Sequence, residues 1–494
     1  MALDTATAYA DIAPVAALDR KIARGVTWMA SIKGATVIVS WFWTIMIARI
    51  LSPQEYGIYT MASIFVGLTL MFTEFGFGAA IVALPELDEN LAAQLHTTAA
   101  IFGVVAFMIS CLAAYPISRF FRTPAVMPVL IAVGTIVIAE TLRLVPIARL
   151  GRALRFKDLA LLDGCKAAIA LGLAVPLALA GARYWTLVIG NVVAAFVVTA
   201  IVLAKARQRF ARPVFSEVKS TLTFSSHFIA NQLAWYGYTN ADFTVAGRIL
   251  GKIALGEYNL AWTIVSAPGD KIMSIFGQVM PMVLSNVQRD VQALRRYFLL
   301  FTEALGILII PATAGLAVVA RDFVLLVFGA KWAAAVLPLQ LLSFYMAIHI
   351  LGTPTDRLLQ STGQPKFPAR CRFVMLVVLP IAFYFSGSHW GTAGIAGAWI
   401  AIYPVLLSPM FIRAFRKIGI GIGEYVVTLL PTLISTALMV VFVIAVQRRA
   451  GVNSLGARFA LEVSIGAIAF IASALLIQRR RLAVVAGFVR GLRN

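Results

Sequence analysis

The chain has 494 residues, 61% of them hydrophobic and only 13% charged, with a mean hydropathy of +0.90. Soluble domains do not reach these values, and the apolar runs are continuous rather than alternating, which excludes a β-barrel. Lys and Arg number 42 against 21 Asp and Glu, a formal net charge of +21; short basic loops beside a membrane account for this excess without any nucleic acid.

In chain order, residues 1–24 form an N-terminal tail whose first part is polar and Ala-rich, without the pattern of a cleavable signal peptide. Fourteen apolar segments follow, each long enough to cross a hydrocarbon core of about 30 Å as a helix. The first six are placed at 25–48, 57–84, 95–118, 125–148, 159–181 and 184–204. A basic linker, 205–219, separates them from 220–246, 257–285, 297–320, 334–355, 371–388 and 392–412. The last two are 424–446 and 457–477, within a region 413–477, and a basic tail, 478–494, carries Arg479-Arg480-Arg481, Arg490 and Arg493. Segment 321–333 is amphipathic and is expected to be an interfacial turn of helix. With the N-terminus inside, more than twice as many of the 42 Lys and Arg fall in cytoplasmic segments as in outer ones, so both termini are expected to be cytoplasmic. The expected fold is therefore an all-α polytopic membrane protein.

The chain repeats its own signature at an offset of about 200 residues. Arg49-Ile50-Leu51 followed by Glu55-Tyr56 returns as Arg248-Ile249-Leu250 followed by Glu257-Tyr258, and Phe75-Gly76 returns as Phe276-Gly277. Pro128-Val129-Leu130 likewise has a counterpart in Leu337-Pro338-Leu339. Two similar bundles in tandem, 25–204 and 220–412, follow from this repetition, an architecture common among transporters.

An ionisable group inside a bilayer costs about 2.5–3.5 kcal/mol by insertion scales, so each requires a reason. Bases within spans include Lys33, Arg143, Lys166 and Lys271; acids include Glu74, Glu140, Asp163, Asp242, Asp270, Glu303 and Glu462. Glu140 with Arg143, and Asp163 with Lys166, stand three residues apart and can pair on one helix face. Lys33 has no acid at that spacing and calls for a ligand, water or an acid on another helix. In the two-copy register, helix 1 matches helix 7 and helix 2 matches helix 8. Lys33 and Lys271 would then come from opposite bundles and could face one cavity. His227, Asn231, Trp235, Tyr238 and Asp242 recur every three or four residues, one side of a helix. Such a face suits either a sugar path, with rings stacking on sugar faces, or hydrogen bonds to neighbouring helices.

Signals for catalysis are poor. His96, His227, His349 and His389 are scattered, and no Walker A, H-E-x-x-H or G-x-S-x-G pattern is present. Cys111, Cys165 and Cys371 show neither disulfide nor metal spacing. No enzyme activity and no cofactor are expected. Prolines within spans (Pro146, Pro176, Pro268, Pro281, Pro311, Pro380, Pro404) are expected to bend helices, as kinks or as hinges.

Three groups of residues carry a family resemblance. The first is Ala48-Arg49-Ile50-Leu51-Ser52-Pro53-Gln54-Glu55-Tyr56-Gly57-Ile58-Tyr59 with Glu74-Phe75-Gly76-Phe77-Gly78. The second is Asn240-Ala241-Asp242 with Gly247-Arg248-Ile249-Leu250-Gly251 and Leu255-Gly256-Glu257-Tyr258-Asn259-Leu260-Ala261. The third is Pro311-Ala312-Thr313-Ala314-Gly315-Leu316 with Phe328-Gly329-Ala330-Lys331-Trp332. Over residues 20–420 the chain resembles the polysaccharide flippases of the Wzx type, which belong with the multidrug and toxin extruders and the lipid II flippase.

The resemblance implies a V-shaped pair of pseudo-symmetric six-helix lobes plus two C-terminal helices, opening alternately to each side of a bacterial inner membrane. It implies that an undecaprenyl-diphosphate-linked oligosaccharide is carried from the inner to the outer leaflet, for exopolysaccharide, capsule or O-antigen synthesis. Lys33, Lys271, Arg143 and Lys166 are then expected to meet the diphosphate. Asn231, Trp235, Tyr238 and Asp242 are expected on the glycan path or in energy coupling. The implied partners are the lipid-linked oligosaccharide, membrane lipids, and polymerase and export components. A cation-coupled exporter of small drugs is the alternative within the same fold group.

Overall fold

The computed structural model describes residues 44–73, 88–153, 155–206, 208–214, 231–449 and 454–491. Lys33, Glu74, Phe75-Gly76 and His227, all singled out in the sequence, lie outside these residues. Among the described residues every regular element is helical. Ten helices among the described residues are long and apolar enough to cross a membrane. The chain divides into two compact units, Met1–Leu233 and Ala234–Asn494.

In the first unit a helical stretch over 44–50 precedes α1 (Pro53–Thr73), α2 (Glu89–Phe120), α3 (Val126–Arg152), α4 (Phe156–Leu179) and α5 (Trp185–Lys205). The helix pairs α2–α3, α4–α5, α3–α5 and α1–α3 pack together. Without a hydrophobic force between helices in lipid, close packing and interhelical hydrogen bonds must hold such pairs. Both are present. Thr199 of α5 donates through Oγ1 to the Ala139 carbonyl of α3 at 3.0 Å. Gly190 of α5 comes so near α4 that a Cβ there would lie 2.8 Å from the Ala170 carbonyl oxygen. Gly190→Leu is therefore expected to separate α4 from α5, lowering stability by roughly 1–3 kcal/mol, and a detergent-solubilised variant as stable as the parent to heat would refute this.

The second unit holds α6 (Ala241–Ile249), α7 (Gly251–Asn286), α8 (Val291–Val327), α9 (Val336–Ser361), α10 (Lys366–Ile418), α11 (Ile422–Arg449) and α12 (Leu455–Gly491). A 53-residue straight helix such as α10 would be about 80 Å long, far more than a bilayer core. Gly391 resolves this with a φ of 61° that only glycine adopts freely, breaking α10 into two arms that match the expected spans 371–388 and 392–412. Helix α8 continues to Val327, and a 3₁₀ helix, Ala330–Ala335, joins it to α9. The expected turn of helix over 321–333 is thus α-helix to Val327 and 3₁₀ helix from Ala330, with Asp322 and Val324 buried against protein. Outward faces carry Met108, Ile109 and Leu112 of α2, and Val377, Tyr384 and Phe385 of α10, exposed apolar side chains of the kind lipid accepts.

The repeated Arg-Ile-Leu signature has one structural meaning in both units: it closes a helix just before a sharp break. Leu51 donates its backbone N–H to the Ile47 carbonyl at 2.8 Å, and Leu250 donates to Ala246 at 2.9 Å. After the first break Ser52 caps α1. The Glu55 carboxylate accepts from the Ser52 N–H at 2.7 Å and from its hydroxyl at 2.9 Å, with Pro53 at the first helical position, a capping box.

Candidate functional site

In the second unit the polar centre is Asp242. A helical stretch over 231–239 breaks at Asn240, with φ −117° and ψ 2°, and α6 restarts the helix at Ala241. Asp242 is fully buried, at 0% exposure. Its Oδ2 accepts from the Tyr258 hydroxyl at 2.8 Å and from the Trp399 indole Nε1–H at 2.9 Å, while Oδ1 accepts from the Phe243 backbone N–H at 2.8 Å. One carboxylate thereby ties α6 to α7 and to the second arm of α10.

Aromatic rings surround this centre. Trp399 lies 4.5 Å from Tyr345, 4.9 Å from Phe383 and 6.0 Å from Trp262, centroid to centroid. Tyr403 meets Tyr345 edge-on at 5.2 Å, and its hydroxyl is 3.0 Å from His349 Nδ1. Offset and edge-on pairs of this kind add to simple burial.

Of the stripe expected on helix 7, His227 lies outside the described residues and the other four differ in burial. Tyr238 and Asp242 turn into the core, Tyr238 meeting Trp399 at 6.5 Å, whereas Trp235 is 40% exposed and Asn231 half-buried. Tyr238 and Asp242 both meet Trp399 across the break at Asn240 and so share a face.

In the first unit Glu140 of α3 carries two cations. Arg143, one turn on, pairs with it, and Lys166 of α4 reaches its Oε1 at 2.6 Å. The expected pairing of Lys166 with Asp163 is overturned, since Lys166 turns to α3 and Asp163 is exposed. The Glu140 and Arg143 side chains are largely buried and Lys166 partly so. Two positive charges on one carboxylate leave this cluster one charge positive. Lys271 is exposed on α7 beside Asp270, which feels its charge.

Sequence reasoning missed three groups. Trp399 stands 157 residues from Asp242, and no spacing signals it; Tyr258 belongs to the repeated signature and could have been flagged. Asp356 of α9, expected in a loop, accepts from Arg372 of α10 on both oxygens at 2.8 Å and from Gln360 at 2.8 Å, because α9 runs on to Ser361.

Buried ion pairs, spanning-length apolar helices and lipid-compatible outer faces define a multi-pass helical membrane protein. Residues 46–337 match the family described as "Polysaccharide biosynthesis protein", and the chain belongs to that family. It is 24% identical over 482 residues to an "Uncharacterized membrane protein in cps region" of Klebsiella pneumoniae, covering 96% of this chain and 99% of the relative. It is also 24% identical over 438 residues to "Lipopolysaccharide biosynthesis protein WzxC" of Escherichia coli (strain K12), covering 84% and 87%. In fold it is similar to "Lipid II flippase MurJ, inward closed conformation", with a TM-score of 0.75 at 14% identity, over 92% of this chain and 99% of that one. The resemblance carried by the sequence motifs is borne out.

Proposed function

We propose that the protein is a flippase that moves an undecaprenyl-diphosphate-linked oligosaccharide across the bacterial inner membrane for exopolysaccharide, capsule or O-antigen synthesis. The observation that carries this reading is membership of the polysaccharide biosynthesis family together with near full-length similarity to WzxC. The similarity in fold to a lipid flippase is consistent with it. On this reading residues 25–204 and 220–412 are two six-helix lobes that alternate access, 413–477 adds helices 13 and 14, and both tails are cytoplasmic. Polymerase and export components are its proposed partners.

A diphosphate cannot cross hydrocarbon unshielded, so cations must replace part of its hydration. We assign this to Lys33, Arg143, Lys166 and Lys271. The surplus positive charge on the Glu140 cluster supports the choice of Arg143 and Lys166. Asn231 and the exposed Trp235 are proposed on the glycan path. Tyr238 and Asp242, held in the buried network, are proposed in coupling.

The test is translocation of a fluorescent undecaprenyl-diphosphate oligosaccharide in proteoliposomes. Wild type should flip the lipid, and Lys33→Ala and Lys271→Ala, each purified as a folded monodisperse protein, should lose at least tenfold in rate. A wild type that flips no such lipid across a range of glycans but expels organic cations against a proton gradient would replace this reading with the drug exporter.

A further inference from the structure

Another pair of buried carboxylates lies apart from the Asp242 network and the Glu140 cluster, where α8, α11 and α12 meet. Arg458 of α12 donates from Nε and from one terminal nitrogen to the two oxygens of Asp322 on α8, a bidentate pair. Glu462, one turn further along α12, is fully buried, at 0% exposure, and neither of its oxygens has a hydrogen bond. Its approach to Arg458 is 3.9 Å to Nε, too long for a hydrogen bond, and that N–H is already given to Asp322.

Beyond Arg458, what faces the charge favourably is a neutral amide, that of Gln447. The polar and charged groups acting on Glu462 are Asp322 from α8, Gln447 from α11 and Arg458 on its own helix. Gln447 gives its amide N–H to the Val318 carbonyl at 3.2 Å. Arg321, Arg448 and Arg449 are exposed. One guanidinium therefore stands against two acids, and it is docked on one of them. An ionised carboxylate buried without hydrogen bonds is strongly penalised, and protonation removes that penalty.

We propose that Glu462 is a proton-binding site, occupied while Arg458 is docked on Asp322. If Arg458 moves to Glu462, the O–H bond of the acid breaks, the proton passes to water, and the guanidinium pairs with the carboxylate left behind. The pair would then link proton release to a shift of α12 against α8. This inference is independent of the lipid the protein carries.

Infrared spectroscopy of the full-length protein in nanodiscs at neutral pH tests it. Wild type should show the carbonyl band of a protonated carboxylic acid, shifted by deuterium exchange, and Glu462→Gln should remove that band. Asp322→Asn should remove it too, because Arg458 is freed to neutralise Glu462. A set of protonated-acid bands unchanged by Glu462→Gln overturns the site, and a Glu462 band that persists in Asp322→Asn overturns the role given to Arg458. Labelling wild type with [¹³C]glutamate gives a check that needs no variant to fold: a spectrum in which no protonated-acid band shifts overturns the proposal.

Discussion

Asp242→Ala will destabilise the second unit by about 3–5 kcal/mol, the scale of breaking a buried polar network. Three donors converge on this carboxylate, from Tyr258, Trp399 and the Phe243 backbone. Alanine leaves all three without an acceptor in a site no water reaches, and each stranded donor costs about 1–3 kcal/mol before relaxation. Asp242→Asn is expected to cost less, about 2 kcal/mol, since its one amide oxygen still serves part of the donor set while its NH₂ opposes the rest. Denaturant unfolding followed by tryptophan fluorescence is suitable because Trp399 and Trp262 report on the site directly. An Asp242→Ala protein within 1 kcal/mol of wild type would show that the network does not hold α6 to α7 and α10.

Glu140→Ala should be nearly as damaging in the first unit, at about 3 kcal/mol, because it strands two cations rather than one. Arg143 and Lys166 both use this carboxylate, and like charges left side by side repel. The partial exposure of Lys166 discounts the loss, since some of its charge can reach water or lipid headgroups. The charge argument makes a second demand. Combining Glu140→Ala with Lys166→Met should recover part of the lost stability, because it removes one of the stranded charges. If the double variant is no more stable than the single one, the damage comes from lost packing and not from uncompensated charge.

Much of the architecture was legible before any coordinates. Hydropathy set the class, and each long apolar run within the described residues lies on a helix, including the two arms that Gly391 separates. The repeated Arg-Ile-Leu signature was visible as a repeat, and its meaning as a helix stop is local, set by backbone bonds four residues apart. The site was less legible. Asp242 stood out as an acid inside a span, but its partners did not, because Trp399 lies 157 residues away along the chain.

What the sequence determined by itself was whatever depends on one residue or on near neighbours: membrane class, helical content, caps and the tandem repeat. These follow from transfer free energies and from bonds within a few residues along the chain. Only the tertiary structure decided the partners: Trp399 for Asp242, Glu140 for Lys166, Asp322 for Arg458. Helix periodicity permits many such pairs. Which one forms depends on which helices pack and in what rotation, a choice made by side-chain fit across segments that the chain itself keeps far apart.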